Sequence, residues 1–123
     1  MYENKKILVV EDEVNIRNVI SMYLKKEGFE VLETGDGIEA ITLIEKEKPN
    51  LIILDIMLPG LSGYEIFKKI KSNENTKNII IVILSANGHE RQKFEGYKTE
   101  VDLYETKPFS PRQLIKNVKA VLN

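Results

Sequence analysis

The residues of this chain best suited to chemistry are Glu11, Asp12, Asp55, Ser85 and Lys107. Gathered in one pocket, three carboxylates repel one another; at about 4 Å and an effective dielectric near 20, each pair costs roughly 4 kcal/mol. A proton or a metal ion has to neutralise such a cluster. An all-oxygen donor set suits Mg2+ (or Mn2+), which takes one or two carboxylates and keeps room for water and a phosphate oxygen. Lys107 adds a mobile point charge suited to phosphate, and Ser85 a hydroxyl donor. A carboxylate nucleophile with these companions has the parts needed to accept a phosphoryl group: Asp55 attacks in line and an acyl phosphate forms. There is no glycine-rich Walker sequence, so a small phosphodonor or a phosphorylated protein is a more natural source than a nucleotide.

Each of these residues stands where an apolar run stops. Leu51-Ile52-Ile53-Leu54 leads into Asp55, and Pro59-Gly60 and Gly63 follow within eight positions. Such a run, bounded by turn signals, fits a strand buried on both faces of a parallel sheet. Alone, Asp55 reads equally well as a turn cap; the other strand ends favour function. Residues 5–10 predict a first strand that ends in Glu11-Asp12-Glu13. Ile16, Val19, Ile20, Tyr23 and Leu24 then share a helical face, which Gly28 terminates. A second strand is expected over 29–33. Asp36-Gly37-Ile38-Glu39 has the form of a capping box, opening a helix that carries Ile38, Ile41, Leu43 and Ile44 up to Pro49.

Ser62-Gly63-Tyr64-Glu65 is a second capping box, with Ile66, Phe67 and Ile70 as the buried side of its helix. The run 79–84 is the most apolar in the chain and predicts a central strand ending at Ser85. A weakly patterned helix over 89–98 and a fifth strand over 101–104 lead to Lys107. Ser110 as N-cap, Pro111 at the first helical position and Gln113 predict a capping box for the last helix, with Leu114, Ile115, Val118, Val121 and Leu122 as its apolar stripe. Five βα repeats with right-handed crossovers give a doubly wound, five-stranded parallel α/β sheet with helices on both faces. Every strand then ends at one rim, where open α/β sheets place their ligands.

Composition bounds the rest. At 123 residues the chain is one domain, 1–123, with a real core. A net charge of −1 gives no footprint for nucleic acid or an anionic membrane, and the absence of cysteine excludes disulfides, thiolate catalysis and thiolate zinc sites. No secretory or transmembrane segment is visible, so cytoplasmic residence is expected. His89, the sole histidine, reads as an exposed residue at a helix start, and Lys68-Lys69-Ile70-Lys71 as a solvated helix face.

Four pieces in order, Ile7-Leu8-Val9-Val10-Glu11-Asp12-Glu13, Asp55-Ile56-Met57-Leu58-Pro59-Gly60 with Gly63, Leu84-Ser85-Ala86 and Lys107-Pro108-Phe109, resemble the receiver domains of two-component response regulators over essentially the whole chain. The resemblance implies a flavodoxin-like sheet of order 2-1-3-4-5, with Asp55 as the phosphoacceptor charged from a sensor histidine kinase or phosphotransfer protein. It implies direct Mg2+ ligands in Asp12, Asp55 and the Met57 carbonyl, with Glu11 helping through water, and phosphoryl contacts from Ser85 and Lys107. It also implies a switch in which Ser85 moves toward the phosphoryl group and Tyr104 turns inward, signalling to a downstream protein target or output domain. Segment 89–98 would be a moving element, and Met57 and Asn87 would flank the path of hydrolytic water.

Some positions depart from the family. Leu103 and Asn117 stand where winged-helix regulators commonly place an aspartate and an arginine of a symmetric dimer, which weakens the expectation of that dimer and leaves a monomer open. Two other readings share the fold. A haloacid-dehalogenase-type hydrolase would want an aspartate two residues after the nucleophile, where Met57 stands. A degenerate receiver that binds partners without phosphorylation is opposed by the intact acidic set.

Overall fold

A computed structural model of the chain describes residues 4–85 and 101–123. The 89–98 helix, His89 and Asn87 lie outside the described residues. The elements are β1 (Lys6–Val10), α1 (Val14–Lys26), β2 (Glu30–Thr34), α2 (Gly37–Glu47), β3 (Leu51–Asp55), α3 (Gly63–Lys71), β4 (Ile80–Ser85), β5 (Leu103–Thr106) and α4 (Pro111–Leu122). All strand pairs are parallel, in the order β2-β1-β3-β4-β5.

The unbroken apolar strands have a structural reason: alternate residues of each strand serve opposite cores. Leu8, Val10, Ile52, Leu54, Ile81 and Ile83 face Ala40 and Ile44 of α2 and Ile66, Phe67 and Ile70 of α3. Ile7, Val9, Leu51, Ile53, Val82 and Leu84 face Ile20 and Leu24 of α1 and Leu114, Ile115 and Val118 of α4. Strand order reverses between β1 and β3, so their carboxyl ends open the crevice typical of a doubly wound sheet.

Several expected boundaries and contacts shift. β5 starts at Leu103 rather than 101, because the Asp102 carboxylate accepts the Ile81 N–H at 3.0 Å and holds the chain just ahead of the ladder. β2 and β4 each sit one residue later than their apolar runs suggested, at Glu30–Thr34 and Ile80–Ser85. Val19 and Ile38 lie at the exposed edges of their helical stripes rather than in the core.

Only Ser62 and Glu65 complete a reciprocal capping box. Asp36 caps α2 through the Ile38 and Glu39 N–H groups, but the Glu39 carboxylate turns to the Thr34 hydroxyl instead. Ser110 accepts the Gln113 N–H, while the Gln113 side chain donates to Asn117. Lys68 and Lys69 are exposed, as a solvated face requires, with Lys68 lying 4.8 Å over the Tyr64 ring.

Ser21 is the one buried hydroxyl of α1, 3% exposed, and its Oγ has no hydrogen-bond partner among the described residues. A desolvated, unpaired hydroxyl costs about 1–3 kcal/mol, and alanine has the better helix propensity. Ser21→Ala is expected to stabilise the fold by about 1 kcal/mol, seen as a higher urea midpoint at unchanged slope.

Candidate functional site

The carboxyl ends of β1, β3, β4 and β5 bring the acidic pair, the central aspartate, the serine and the lysine to one rim. Asp55 is the last residue of β3, and its register partner is Leu84, just before Ser85. The rim is stitched by the backbone: Ile56 N–H donates to the Leu84 carbonyl at 3.1 Å, and Lys107 N–H to the Ser85 carbonyl at 2.8 Å. The Met57 N–H donates to Asp55 Oδ1 at 3.1 Å, and the Lys107 ammonium donates to Oδ2 at 3.1 Å, so both carboxylate oxygens are held. Lys107 Nζ also stands 2.7 Å from Glu11 Oε1, while Glu11 Oε2 accepts the Glu13 N–H at 3.1 Å. Glu11, Asp55 and Ser85 are buried and Asp12 is exposed, which leaves the pocket a solvent-facing side.

Burial and proximity set the charges. Burial pushes the Asp55 carboxyl up, the Glu11 carboxylate beside it pushes the same way, and Lys107 offsets only part, leaving Asp55 at about 7. Burial also pushes Glu11 upward, but Lys107, the Glu13 N–H and Asp55 outweigh it and hold Glu11 below its ordinary value. For Lys107 burial works downward, and its contacts with the two acids overcome it, so the ammonium is held above its ordinary value. As the pH falls below about 7 the two buried acids therefore take up one proton, centred on Asp55, beside a charged lysine.

One carboxylate oxygen from each of Glu11, Asp12 and Asp55 lies within 4.8 Å of the others, the one such grouping among the described residues. Glu11 Oε1 is buried and accepts no well-directed hydrogen bond although the Lys107 ammonium stands beside it. An all-oxygen set with a buried unused lone pair and one exposed member fits a hard divalent cation.

Met57 is 63% exposed and meets the pocket through its backbone. Tyr104 is half-buried in β5 and packs against the core on the α2–α3 side.

Two contributors have roles that the sequence did not reveal. Arg17 reaches back from α1 to donate from Nη1 to the Glu11 carbonyl at 2.8 Å. Gly63 was visible as a motif letter only; a Cβ there would lie 2.2 Å from the Asp55 carbonyl oxygen and 2.7 Å from Ile56 Cα. Its N–H donates to the Ile56 carbonyl at 2.9 Å, so α3 begins directly against the end of β3. Neither contact follows from hydrophobic pattern or capping letters, because each depends on how a helix start folds back on the strand end just before it.

Fold and pocket together define a flavodoxin-like α/β domain with an acidic, lysine-bridged pocket at the carboxyl rim of its sheet. A family model described as the response regulator receiver domain matches residues 7–119, and the chain belongs to that family. It is 46% identical over 118 residues to the phosphate regulon transcriptional regulatory protein PhoB of Pseudomonas aeruginosa, covering 96% of this chain and 52% of PhoB. The chain spans about half the length of the curated relatives it matches.

Among solved structures it is similar to the chemotaxis response regulator CheY4 of Vibrio cholerae, with a TM-score of 0.86 and 31% identity over 95% of this chain and 98% of CheY4. It is also similar to the receiver domain of the sensor histidine kinase PA1611 of Pseudomonas aeruginosa, with a TM-score of 0.82 and 29% identity over 94% and 95% of the two chains. That domain was solved with a magnesium ion coordinated in its active-site cleft. No helix among the described residues is long and apolar enough to cross a membrane.

Proposed function

We propose that Asp55 accepts a phosphoryl group, from the phosphohistidine of a sensor histidine kinase or phosphotransfer protein or from a small phosphodonor, and that the acyl phosphate switches the domain. The observation that carries this reading is the contact of one ammonium, Lys107, with both a nucleophilic carboxylate at 3.1 Å and a neighbouring acid at 2.7 Å. An Asp55 oxygen attacks phosphorus while the phosphorus–nitrogen bond to the donor imidazole breaks, and the imidazole leaves with that bond's electron pair. Lys107 then exchanges its contact with Asp55 for one with a phosphoryl oxygen. Ser85, at the end of β4, supplies a hydroxyl to another. Hydrolysis of the acyl phosphate by water resets the domain slowly.

Asp12, Asp55 and the Met57 carbonyl, with Glu11 through water, are the groups that would hold Mg2+ (or Mn2+). Bound there, the ion supplies positive charge against the phosphoryl oxygens. By resemblance to the family, Tyr104 acts with Ser85 in the switch; β5 carries it three residues before Lys107, in register with Ile83 of β4. A phosphoryl group shifts the balance only through contacts that differ between the two states.

The signal passes to a downstream protein target or output domain, in the cytoplasm, with residues 1–123 as one receiver unit. In place of the arginine of the symmetric dimer, Asn117 donates its amide to Glu105 at 2.7 Å within the same chain.

The test is intact mass after incubation with acetyl phosphate and MgCl2. Wild type is expected to gain one phosphoryl group and lose it slowly, and Asp55→Asn to gain none. An equal gain in Asp55→Asn would refute the assignment.

A further inference from the structure

Of the three acids in the pocket, Asp12 is the exposed one, and its carboxylate makes no hydrogen bond or ion pair among the described residues. Glu11 is held by Lys107 and by the Glu13 N–H, and Asp55 by Lys107 and the Met57 N–H. The place of the Asp12 carboxylate therefore depends on its backbone. The Glu11 N–H is held by the Thr34 carbonyl at 3.0 Å and the Glu13 N–H by the Glu11 carboxylate at 3.1 Å, but the N-cap of α1, Glu13, forms no side-chain capping bond.

Arg17 holds the carbonyl side of the same segment. Its backbone N–H bonds the Glu13 carbonyl at 2.9 Å, and its guanidinium bonds the Glu11 carbonyl at 2.8 Å, so one residue grips the segment on both sides of Asp12. The guanidinium is itself aimed from behind: Arg17 Nε lies 3.7 Å from Glu33 Oε1, and Lys25 lies 3.8 Å from Glu33 Oε2. Gly35 closes over the assembly. A Cβ there would stand 2.7 Å from Arg17 Nη1, 3.3 Å from Asp12 Cα and 3.4 Å from the Glu11 carbonyl oxygen.

We infer that Arg17 is a positioning residue of the acidic pocket: by bonding the Glu11 carbonyl it fixes the plane of the Glu11–Asp12 peptide and thereby the place of the Asp12 carboxylate. This rests on the reading that the three acids hold a divalent cation. A charged donor on a carbonyl is a strong hydrogen bond, and the planar guanidinium, oriented by Glu33, sets direction as well as distance. Partners behind metal ligands typically contribute 10- to 100-fold in affinity.

The test is calorimetric titration of MgCl2 into wild type, Arg17→Ala and Arg17→Lys, with thermal unfolding of each in EDTA. Arg17→Ala is expected to bind Mg2+ about tenfold more weakly, and Arg17→Lys to fall between it and wild type. A purely structural role would lower the unfolding temperature in EDTA and leave Mg2+ affinity unchanged. Affinities of both variants within twofold of wild type would overturn the inference. If Arg17→Ala does not fold, Arg17→Lys decides by the same criterion. Wild type that binds no Mg2+ would instead overturn the cation-site reading itself, so the two failures are distinguishable.

Discussion

In EDTA at pH 8, replacing Lys107 by alanine destabilises the fold by about 3 kcal/mol, and the loss is smaller at pH 4, where Asp55 is protonated and only Glu11 still needs the lysine. The physical reason is the company Lys107 keeps. Its ammonium lies between the side chains of Glu11 and Asp55, which are 0% and 3% exposed. Removing one partner from a buried ionic cluster leaves the other charges desolvated and unpaired, and such deletions cost about 3–5 kcal/mol. The lower end applies because the lysine is itself 21% exposed and because the two acids can retain a proton.

The pH dependence follows from that proton. Asp55 stands at about 7 even with Lys107 in place, well above its ordinary value, because burial and Glu11 both oppose ionisation. Without the lysine, folded-state values rise further, while those of the unfolded chain stay near 4. Carboxyls that hold protons more tightly folded than unfolded lose stability as pH rises from the unfolded value toward the folded one. Glu11, held below its ordinary value in wild type, keeps its charge and its pairing to lower pH, so the difference vanishes only once the pH falls below that lowered value. Urea titrations of wild type and Lys107→Ala at pH 4, 6 and 8 measure this. A destabilisation independent of pH would mean that Lys107 serves packing rather than charge. MgCl2 is expected to recover much of the loss in Lys107→Ala, because a ligand that binds only the folded state stabilises it by mass action.

Gly63→Ala has a comparably large effect by a different route. The added Cβ meets backbone on every side: the Asp55 carbonyl oxygen at 2.2 Å, Ile56 Cα at 2.7 Å and the Asp55 carbonyl carbon at 2.9 Å. None of these atoms can rotate away, so α3 must lift from β3 or the end of β3 must bend. Overpacking of this kind costs typically 1–3 kcal/mol, and more where backbone is hit. A thermal midpoint lower by about 10 °C is expected, from a loss near 3 kcal/mol. The strain falls on Asp55, the proposed phosphoacceptor, so phosphorylation by acetyl phosphate is expected to drop at temperatures where the variant remains folded. Full phosphorylation in Gly63→Ala would show that the β3 end tolerates displacement and that the close approach is incidental to the site.

The sequence by itself determined the architecture and which residues meet at the rim of the sheet. Unbroken apolar runs cannot hide one face only, so 7–10, 51–54 and 79–84 had to be central parallel strands, and the observed ladder places them there. Once strands are parallel, residues just past their ends share a rim, which is why Glu11, Asp12, Asp55, Ser85 and Lys107 were legible as one group. What the tertiary structure decided were the contacts with no local signature. Val19 and Ile38 looked like core from periodicity alone, yet a helix buries only the arc its sheet covers. Glu39 and Gln113 carried capping-box letters but found better partners in Thr34 and Asn117.

Arg17, Gly35 and Gly63 act through neighbours contributed by other loops and strands, and their roles exist only where those elements meet. Periodicity records how each element buries its own surface. The orientation of an exposed carboxylate such as Asp12 is set instead by backbone hydrogen bonds across the fold, and these appear only when the chain has closed on itself.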